Sequence, residues 1–149
     1  MKFITAIAAL FVATVANAQV NFTNCVDTPP DIVLSTFSIS PDPICIGKEI
    51  CATVTGVLSL PVIAGAKFSV VGRWLGRIVY QDHHDLCTLM AAQGHPCPVL
   101  TTVTSITVCV PVKAHMPNNI PFQLTVKALN GNNHLLYCQA ATVLATKTC

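Results

Sequence analysis

All eight cysteines of this 149-residue chain lie between residues 25 and 149, and they constrain its fold more than any other feature. An even number of cysteines is typical of a protein stabilised by disulfides in an oxidising compartment. A zinc site is not favoured, because no Cys-x-x-Cys pair occurs and the spacings are irregular. Two pairs are close enough in sequence to favour local loops, Cys45 with Cys51 and Cys87 with Cys97. The full set of candidate disulfide cysteines is Cys25, Cys45, Cys51, Cys87, Cys97, Cys109, Cys138 and Cys149.

The amino terminus has the pattern of a secretory signal. An apolar run, Phe3–Val15, follows Lys2 and ends at the small residues of Ala16–Ala18. The run is shorter than the roughly 18 apolar residues that a membrane span needs. We therefore expect a signal peptide over residues 1–18 and a single domain over residues 19–149.

Two expectations about the secretory route follow. Asn21, Phe22 and Thr23 form an N-glycosylation sequon, which predicts a glycan on Asn21 where that residue lies on the surface. The protein is expected to be secreted or to reach the lumen of a vacuole or lysosome, and a signal peptide does not distinguish these destinations.

The composition disfavours several function classes. Charged residues make up 9% of the chain and hydrophobic residues 52%, whereas a typical soluble domain has about 25% charged residues. The net charge of +2 comes from scattered residues, so the basic stripe that a nucleic-acid partner needs is missing. Disorder is disfavoured as well, since it requires low hydrophobicity and high charge.

Catalytic and metal-binding motifs are not found in the sequence. It contains no Gly-x-Ser-x-Gly elbow, no His-Glu-x-x-His pair and no glycine-rich phosphate loop. His83, His84 and Asp85 are adjacent, but neighbouring strand residues point to opposite faces and do not converge on one metal. We expect them to be solvated edge residues, with a small hydrolase that uses the histidine pair as the enzymatic alternative. No enzyme activity, metal or cofactor is predicted.

Hydrophobic alternation with a period of two dominates the chain and predicts strands. The helical candidate is Leu86–Gln93, which is too short to be stable alone. About seven short strands joined by turn sequences predict an all-β, immunoglobulin-like antiparallel β-sandwich. The candidate strands are Ile32–Ser40, Glu49–Leu58, Ala66–Gly72, Trp74–Tyr80, Ser105–Val112, Ile120–Ala128 and Leu135–Leu144.

The interior of the sandwich allows two interpretations. The strands offer apolar faces, but the chain has only one Trp, two Tyr and six Phe to fill the space between them. A tight core of Val, Ile and Leu is one possibility, and two sheets held apart by an apolar cavity is the other. Composition alone leaves both open.

Several motifs, in their order and spacing, resemble the secreted ML lipid-recognition domain family, which includes sterol and phospholipid transfer proteins. These are Asp85-Leu86-Cys87 followed by Gly94, His95, Cys97 and Pro98, then the strand Pro121–Ala128, and then Asn130-Gly131 before Leu135–Cys138. The likeness extends from Cys25 to Val143. It implies the disulfides Cys25–Cys138, Cys45–Cys51 and Cys87–Cys97. Cys109 and Cys149 are extra to the usual set and either pair with each other or remain free.

The resemblance also implies a lipid held in an apolar cavity between the sheets, with polar atoms at its mouth. The candidate cavity walls are Phe68, Val70, Ile78, Tyr80, Val108, Val110, Phe122, Leu124, Val126 and Leu136. The mouth is expected near the Cys87–Cys97 loop, with Leu89, Met90, Pro98 and Val99 at its rim. Trp74, between Arg73 and Arg77, either meets lipid headgroups at a membrane or is an ordinary half-buried aromatic.

The function implied is a monomeric, secreted protein that binds one sterol or phospholipid and transfers it between membranes through transient membrane contact. The alternative is a secreted immunoglobulin-like interaction module that binds a protein or glycan through its surface. Such a module has a filled core and takes up no lipid.

Overall fold

The computed structural model describes residues 20–149, so the expected signal peptide lies outside the described residues. Within this range, seven long strands and three strands of two residues form the fold, together with one short helix, α1 (Leu86–Ala92). The predicted β-sandwich is confirmed. The strands are β1 (Thr23–Asn24), β2 (Ile32–Ser40), β3 (Ile44–Cys45), β4 (Glu49–Leu58), β5 (Lys67–Trp74), β6 (Arg77–Asp85), β7 (Ser105–Pro111), β8 (Phe122–Leu129), β9 (Leu135–Val143) and β10 (Ala145–Thr146).

Two sheets form the layers of the sandwich. One has five strands in the order β1-β9-β8-β5-β6, and the other has three in the order β2-β4-β7. All pairs within these two sheets are antiparallel. Strands β3 and β10 form a short parallel pair beside them. Strands β6 and β7 are edge strands of different sheets and share no ladder, and a contact between Asp82 on β6 and Lys113, just after β7, places them along the same side of the sandwich.

Alternation along the strands places the core between the two layers. On β8, Phe122, Leu124 and Val126 are buried, whereas Gln123 between them is exposed. Successive side chains of a strand point to opposite faces, so one face of each sheet is apolar and must be covered. The two apolar faces cover each other.

The Asp-Leu-Cys element that was noted in the sequence lies at the start of helix α1. The Asp85 carboxylate accepts hydrogen bonds from the backbone N–H and the hydroxyl of Thr88, at 2.7 and 3.0 Å, and so caps the helix. Leu86 is buried in the core, and Cys87 forms the disulfide that closes the following loop onto Cys97. The element therefore starts, anchors and ties down a helix that is too short to be stable by itself.

The disulfides agree with the expected pairing in two cases and correct it in two. Cys25–Cys138 and Cys87–Cys97 are present as the resemblance implies. The expected Cys45–Cys51 bond is wrong, because Cys51 lies on β4 directly opposite Cys109 on β7 and bonds to it. Cys149 bonds to Cys45, so it neither pairs with Cys109 nor remains free. The six-residue spacing was misleading because Cys45 belongs to the β3–β10 pair and not to the ladder of β4.

The hairpin between β5 and β6 also differs from the prediction. The expected strand Trp74–Tyr80 is interrupted by a turn at Leu75 and Gly76, both of which have positive φ angles, of 48° and 77°. Two such residues are typical of a tight hairpin turn. The ladder then shifts register, since Arg73 pairs with Ile78 but Gly72 pairs with Tyr80. The extra residue, Val79, forms a bulge in β6.

One end of the sandwich, which we call the α1 end, contains the helix and a buried asparagine. The Asn130 side chain is 1% exposed and accepts hydrogen bonds from the backbone N–H groups of Ile63 (2.9 Å) and Gly131 (2.8 Å). Its amide also donates to the carbonyl of Pro61 at 3.0 Å. Asn130 thus fastens the loop before β5 to the turn between β8 and β9.

No helix within residues 20–149 is both long and apolar enough to cross a membrane.

Candidate functional site

An apolar cavity lies between the two sheets, and we call it the main cavity. The volume that the centre of a water molecule can occupy inside it is about 30 Å³. That is room for very few water molecules, whereas ligand pockets have volumes of about 300–1,000 Å³. The lining residues are Ile39, Ile44, Ile50, Ala52, Phe68, Val70, Tyr80, Val108, Val110, Val112, Met116, Leu124 and Val126.

Most of the predicted wall residues are brought together here. The seven that line the main cavity are Phe68, Val70, Tyr80, Val108, Val110, Leu124 and Val126. Phe122 is buried, with its ring against Gly72, and Leu136 lines a smaller cavity elsewhere. The exception is Ile78, which is 53% exposed on the outer surface because it lies beyond the β6 bulge.

A smaller cavity lies at the α1 end, with a volume of about 10 Å³ counted in the same way, and one of the four predicted rim residues lines it. Met90 lines it, and Val99 is buried beside it in a bridge to Val62. Leu89 is half-buried and Pro98 is exposed. The main cavity instead extends toward the opposite end of the sandwich, where Ile50 lies near the start of β4 and Val110 near the end of β7. No residue of the Cys87–Cys97 loop lines the main cavity, although Val108 lines both cavities.

Sequence reasoning missed six residues of the main cavity. Ile39, Ile50 and Ala52 lie on predicted strands, and the alternation along those strands was the signal for them. Val112 ends the predicted strand Ser105–Val112 and has the same signal. Ile44 lies on a two-residue strand and Met116 lies after β7, where periodicity gives no guidance.

A polar cluster lies beside the main cavity, where β6 meets residues 112–116. Asp82 is 4% exposed, and its carboxylate accepts a hydrogen bond from the Lys113 ammonium. The Nε2 atom of His84 lies 2.9 Å from the second oxygen of Asp82. The Tyr80 hydroxyl accepts from the backbone N–H of Lys113 at 3.5 Å, and the Tyr80 ring stacks on that of His115 at 5.3 Å between centroids.

Burial and charge act in opposite directions on this cluster. Burial alone raises the pKa of Asp82, but hydrogen bonds from Lys113 and His84 outweigh it and leave that pKa below its usual value. The hydrogen bond to Asp82 raises the pKa of Lys113. Burial raises the pKa of Tyr80. Asp82 and Lys113 are therefore an ionised pair over the physiological pH range.

The histidine pair does not form a converging site. His83 is exposed, with its Nε2 atom 2.7 Å from the amide nitrogen of Gln81, whereas His84 is half-buried against Asp82. The two rings lie on opposite faces of β6, as strand geometry requires. Among residues 20–149, Glu49, Cys51 and Cys109 have the proximity of metal ligands, but both sulfurs belong to one disulfide and supply no thiolate.

The tip of the β5–β6 hairpin, residues 73–78, exposes several large apolar side chains to solvent. Trp74 is 44% exposed and Leu75 is 82% exposed, and Ile78 lies beside them. Arg73 and Arg77 are exposed in the same tip. Because β5 starts at the α1 end, where Lys67 pairs with Leu129, it carries this tip to the end where the main cavity lies.

Comparison with known proteins defines the class of fold. No protein-family model and no curated protein sequence matches the chain. Solved structures do match, and each of the three described below aligns with most of the chain. The fold is that of the ML proteins, so the resemblance seen in the motifs is confirmed at the level of the fold.

A Niemann-Pick type C2 protein from the Japanese carpenter ant matches with a TM-score of 0.62 and 16% identity, over 85% of this chain and 99% of that chain. The C-terminal domain of Wzt matches with a TM-score of 0.53 and 11% identity, over 89% of this chain and 81% of that one. Chicken MD-1, in a complex with lipid IVa, has a TM-score of 0.49 and 14% identity, over 84% of this chain and 88% of that chain.

Proposed function

We propose that this protein is a secreted or lumenal carrier that binds one lipid, a sterol or a phospholipid, between its sheets and transfers it without chemical change. The observation that carries the proposal is the main cavity, whose walls come from both sheets and are apolar except for the Tyr80 hydroxyl. The ML-type fold and the four disulfides, which fit an oxidising compartment, support it.

The cavity must widen to accept a lipid, since about 30 Å³ does not hold an acyl chain. The two layers meet through side chains such as Val70, Val108 and Leu124, and not through a continuous backbone ladder. Separating them removes apolar contacts that a lipid then replaces. The gain is about 0.8 kcal/mol for each methylene that leaves water, so a long hydrocarbon chain can offset the separation.

Native mass spectrometry after incubation with a mixed lipid extract tests the proposal. We expect a mass shift that corresponds to one lipid per chain. Ala52→Leu adds bulk to the wall of the main cavity and should reduce the loaded fraction. Val57→Leu makes a similar change on the same strand at a residue that is 64% exposed, and should load like the wild type.

Transfer also requires membrane contact, and we assign it to the hairpin tip. Its apolar side chains, Trp74, Leu75 and Ile78, suit the membrane interface, and its two arginines suit anionic headgroups. The tip lies at the same end of the sandwich as the main cavity. A protein that docks through the tip would therefore hold the end with the main cavity toward the bilayer.

Trp74 is the only tryptophan, and its fluorescence therefore reports on the tip alone. Vesicles that contain anionic phospholipid with brominated acyl chains should quench it, and neutral vesicles should quench it less. Arg73→Gln together with Arg77→Gln should abolish that difference. Equal quenching by both vesicle types would contradict the assignment of the arginines to headgroups.

The small size of the main cavity is the observation that favours the alternative, an interaction module with a filled core. That function predicts unloaded protein in every lipid mixture under conditions that load a known carrier. Loading of the wild type together with reduced loading of Ala52→Leu would exclude it.

A further inference from the structure

We propose that Asp82 and Lys113 form a latch that sets the rate at which lipid enters and leaves the main cavity, an inference that rests on the proposed function. The latch closes what we call the seam, the side of the sandwich between β6 and residues 112–116. Asp82 belongs to the edge strand of the five-stranded sheet, and Lys113 follows the edge strand of the three-stranded sheet. The ion pair therefore joins the two layers.

The seam gives direct access to the main cavity. Tyr80 on β6 lines the cavity from one side, and Val112 and Met116 line it from the other. The contacts across the seam all involve side chains: the ion pair, the bond from the Lys113 N–H to Tyr80, and the stacking of His115 on Tyr80. Breaking these contacts leaves the backbone ladders of both sheets intact.

The opposite side of the sandwich is held more firmly. The backbone N–H of Asp31, next to β2, donates to the carbonyl of Leu135 on β9 at 2.8 Å. The ring of Phe37 on β2 packs on those of Phe22 and Tyr137, at centroid distances of 4.7 and 5.8 Å. Near the seam end, the Cys45–Cys149 disulfide fastens β3 to the chain beyond β10. Within residues 20–149, neither a disulfide nor a backbone hydrogen bond joins β6 to residues 112–116.

The ion pair suits a latch because its two partners differ in their access to water. The Lys113 side chain is 46% exposed, whereas that of Asp82 is 5% exposed. Opening the seam separates the charges before Asp82 is fully hydrated, so the pair adds to the barrier for opening. With lipid inside, the same pair can form again over the closed cavity. The latch therefore changes the loading and release rates together and leaves the equilibrium affinity unaltered.

The test compares Lys113→Met, which keeps the aliphatic stem, and the double variant Asp82→Asn with Lys113→Gln, which removes both charges. Lys67→Gln and Asp42→Asn make similar charge changes at exposed residues away from the seam. Circular dichroism establishes that each protein is folded, and if one latch variant fails to fold, the other carries the test. Hydrogen exchange of residues 112–116 is measured without lipid, and stopped-flow loading and release are measured with a fluorescent phospholipid.

We expect exchange of residues 112–116, loading and release each to accelerate by about 10-fold or more in the latch variants, with an unchanged dissociation constant. The controls should match the wild type. Wild-type exchange and loading rates in a folded latch variant would overturn the proposal, as would a change in affinity alone. If the wild type takes up no lipid, the proposed function fails, and the exchange rates still decide whether the pair holds the seam.

Discussion

The two ends of the sandwich are closed by different kinds of interaction. At the α1 end, the Cys87–Cys97 disulfide, the capped helix and the buried Asn130 hold the loops together. Toward the other end, the seam along the side of the sandwich is closed by an ion pair, one long hydrogen bond and a ring stack. The cavity at the α1 end is about 10 Å³, and the main cavity is about 30 Å³.

This contrast indicates a division of roles. Backbone groups held by a buried side chain are costly to expose, because each loses a partner that water does not replace in the interior. At the seam the contacts are between side chains, and the partly exposed Lys113 ammonium regains water when the ion pair separates. The α1 end is therefore suited to hold the layers in register, while the seam end is suited to open.

The largest effect on stability is expected from Asn130→Ala. The change leaves the backbone groups of Ile63, Gly131 and Pro61 without partners in a site that is 1% exposed. We expect the free energy of unfolding to fall by about 3 kcal/mol, measured by urea denaturation. Asn132→Ala, at an exposed residue of the same turn, is the control and should cost less than about 1 kcal/mol. Equal losses in the two variants would contradict the role given to Asn130.

A moderate effect with a definite sign is expected from acid. The folded-state pKa of Asp82 is below the value of 3.8 that applies to the unfolded chain. Its contribution to stability is therefore fully present above that pH and is lost as the pH falls through the folded-state pKa. We expect the difference in unfolding free energy between the wild type and Asp82→Asn to shrink over this acidic range. A difference that grew on acidification would show that Asp82 is protonated at neutral pH.

The smallest effect on stability is expected at the hairpin tip. Leu75 is 82% exposed, so Leu75→Ala should change the free energy of unfolding by less than about 0.5 kcal/mol. The variant should nevertheless associate less with anionic vesicles in a flotation assay, since it loses apolar area at the membrane interface. Unchanged flotation would separate the tip from membrane contact and leave the cavity proposal intact.

The sequence predicted the strands well because alternation and burial follow the same period of two, as along β8. It predicted Cys25–Cys138 through the family resemblance. It could not predict Cys51–Cys109, which depends on the register between β4 and β7, two strands far apart in the chain. The exposure of Ile78 likewise follows from a bulge that leaves no sequence signal.

The polar part of the site was the least predictable. Asp82 is one of six acidic residues, and nothing in its neighbours indicates burial. Its partner, Lys113, is 31 positions away in a segment without periodicity. Their meeting depends on how the two layers stack, which single-strand patterns do not encode.

The most direct test of the central claim is a crystal structure of the protein loaded with a phospholipid that has brominated acyl chains. We predict anomalous bromine density between the sheets, near Val110 and Leu124, with the layers further apart than in the unloaded protein. Bromine density confined to the outer surface, with the main cavity unchanged, would contradict the account.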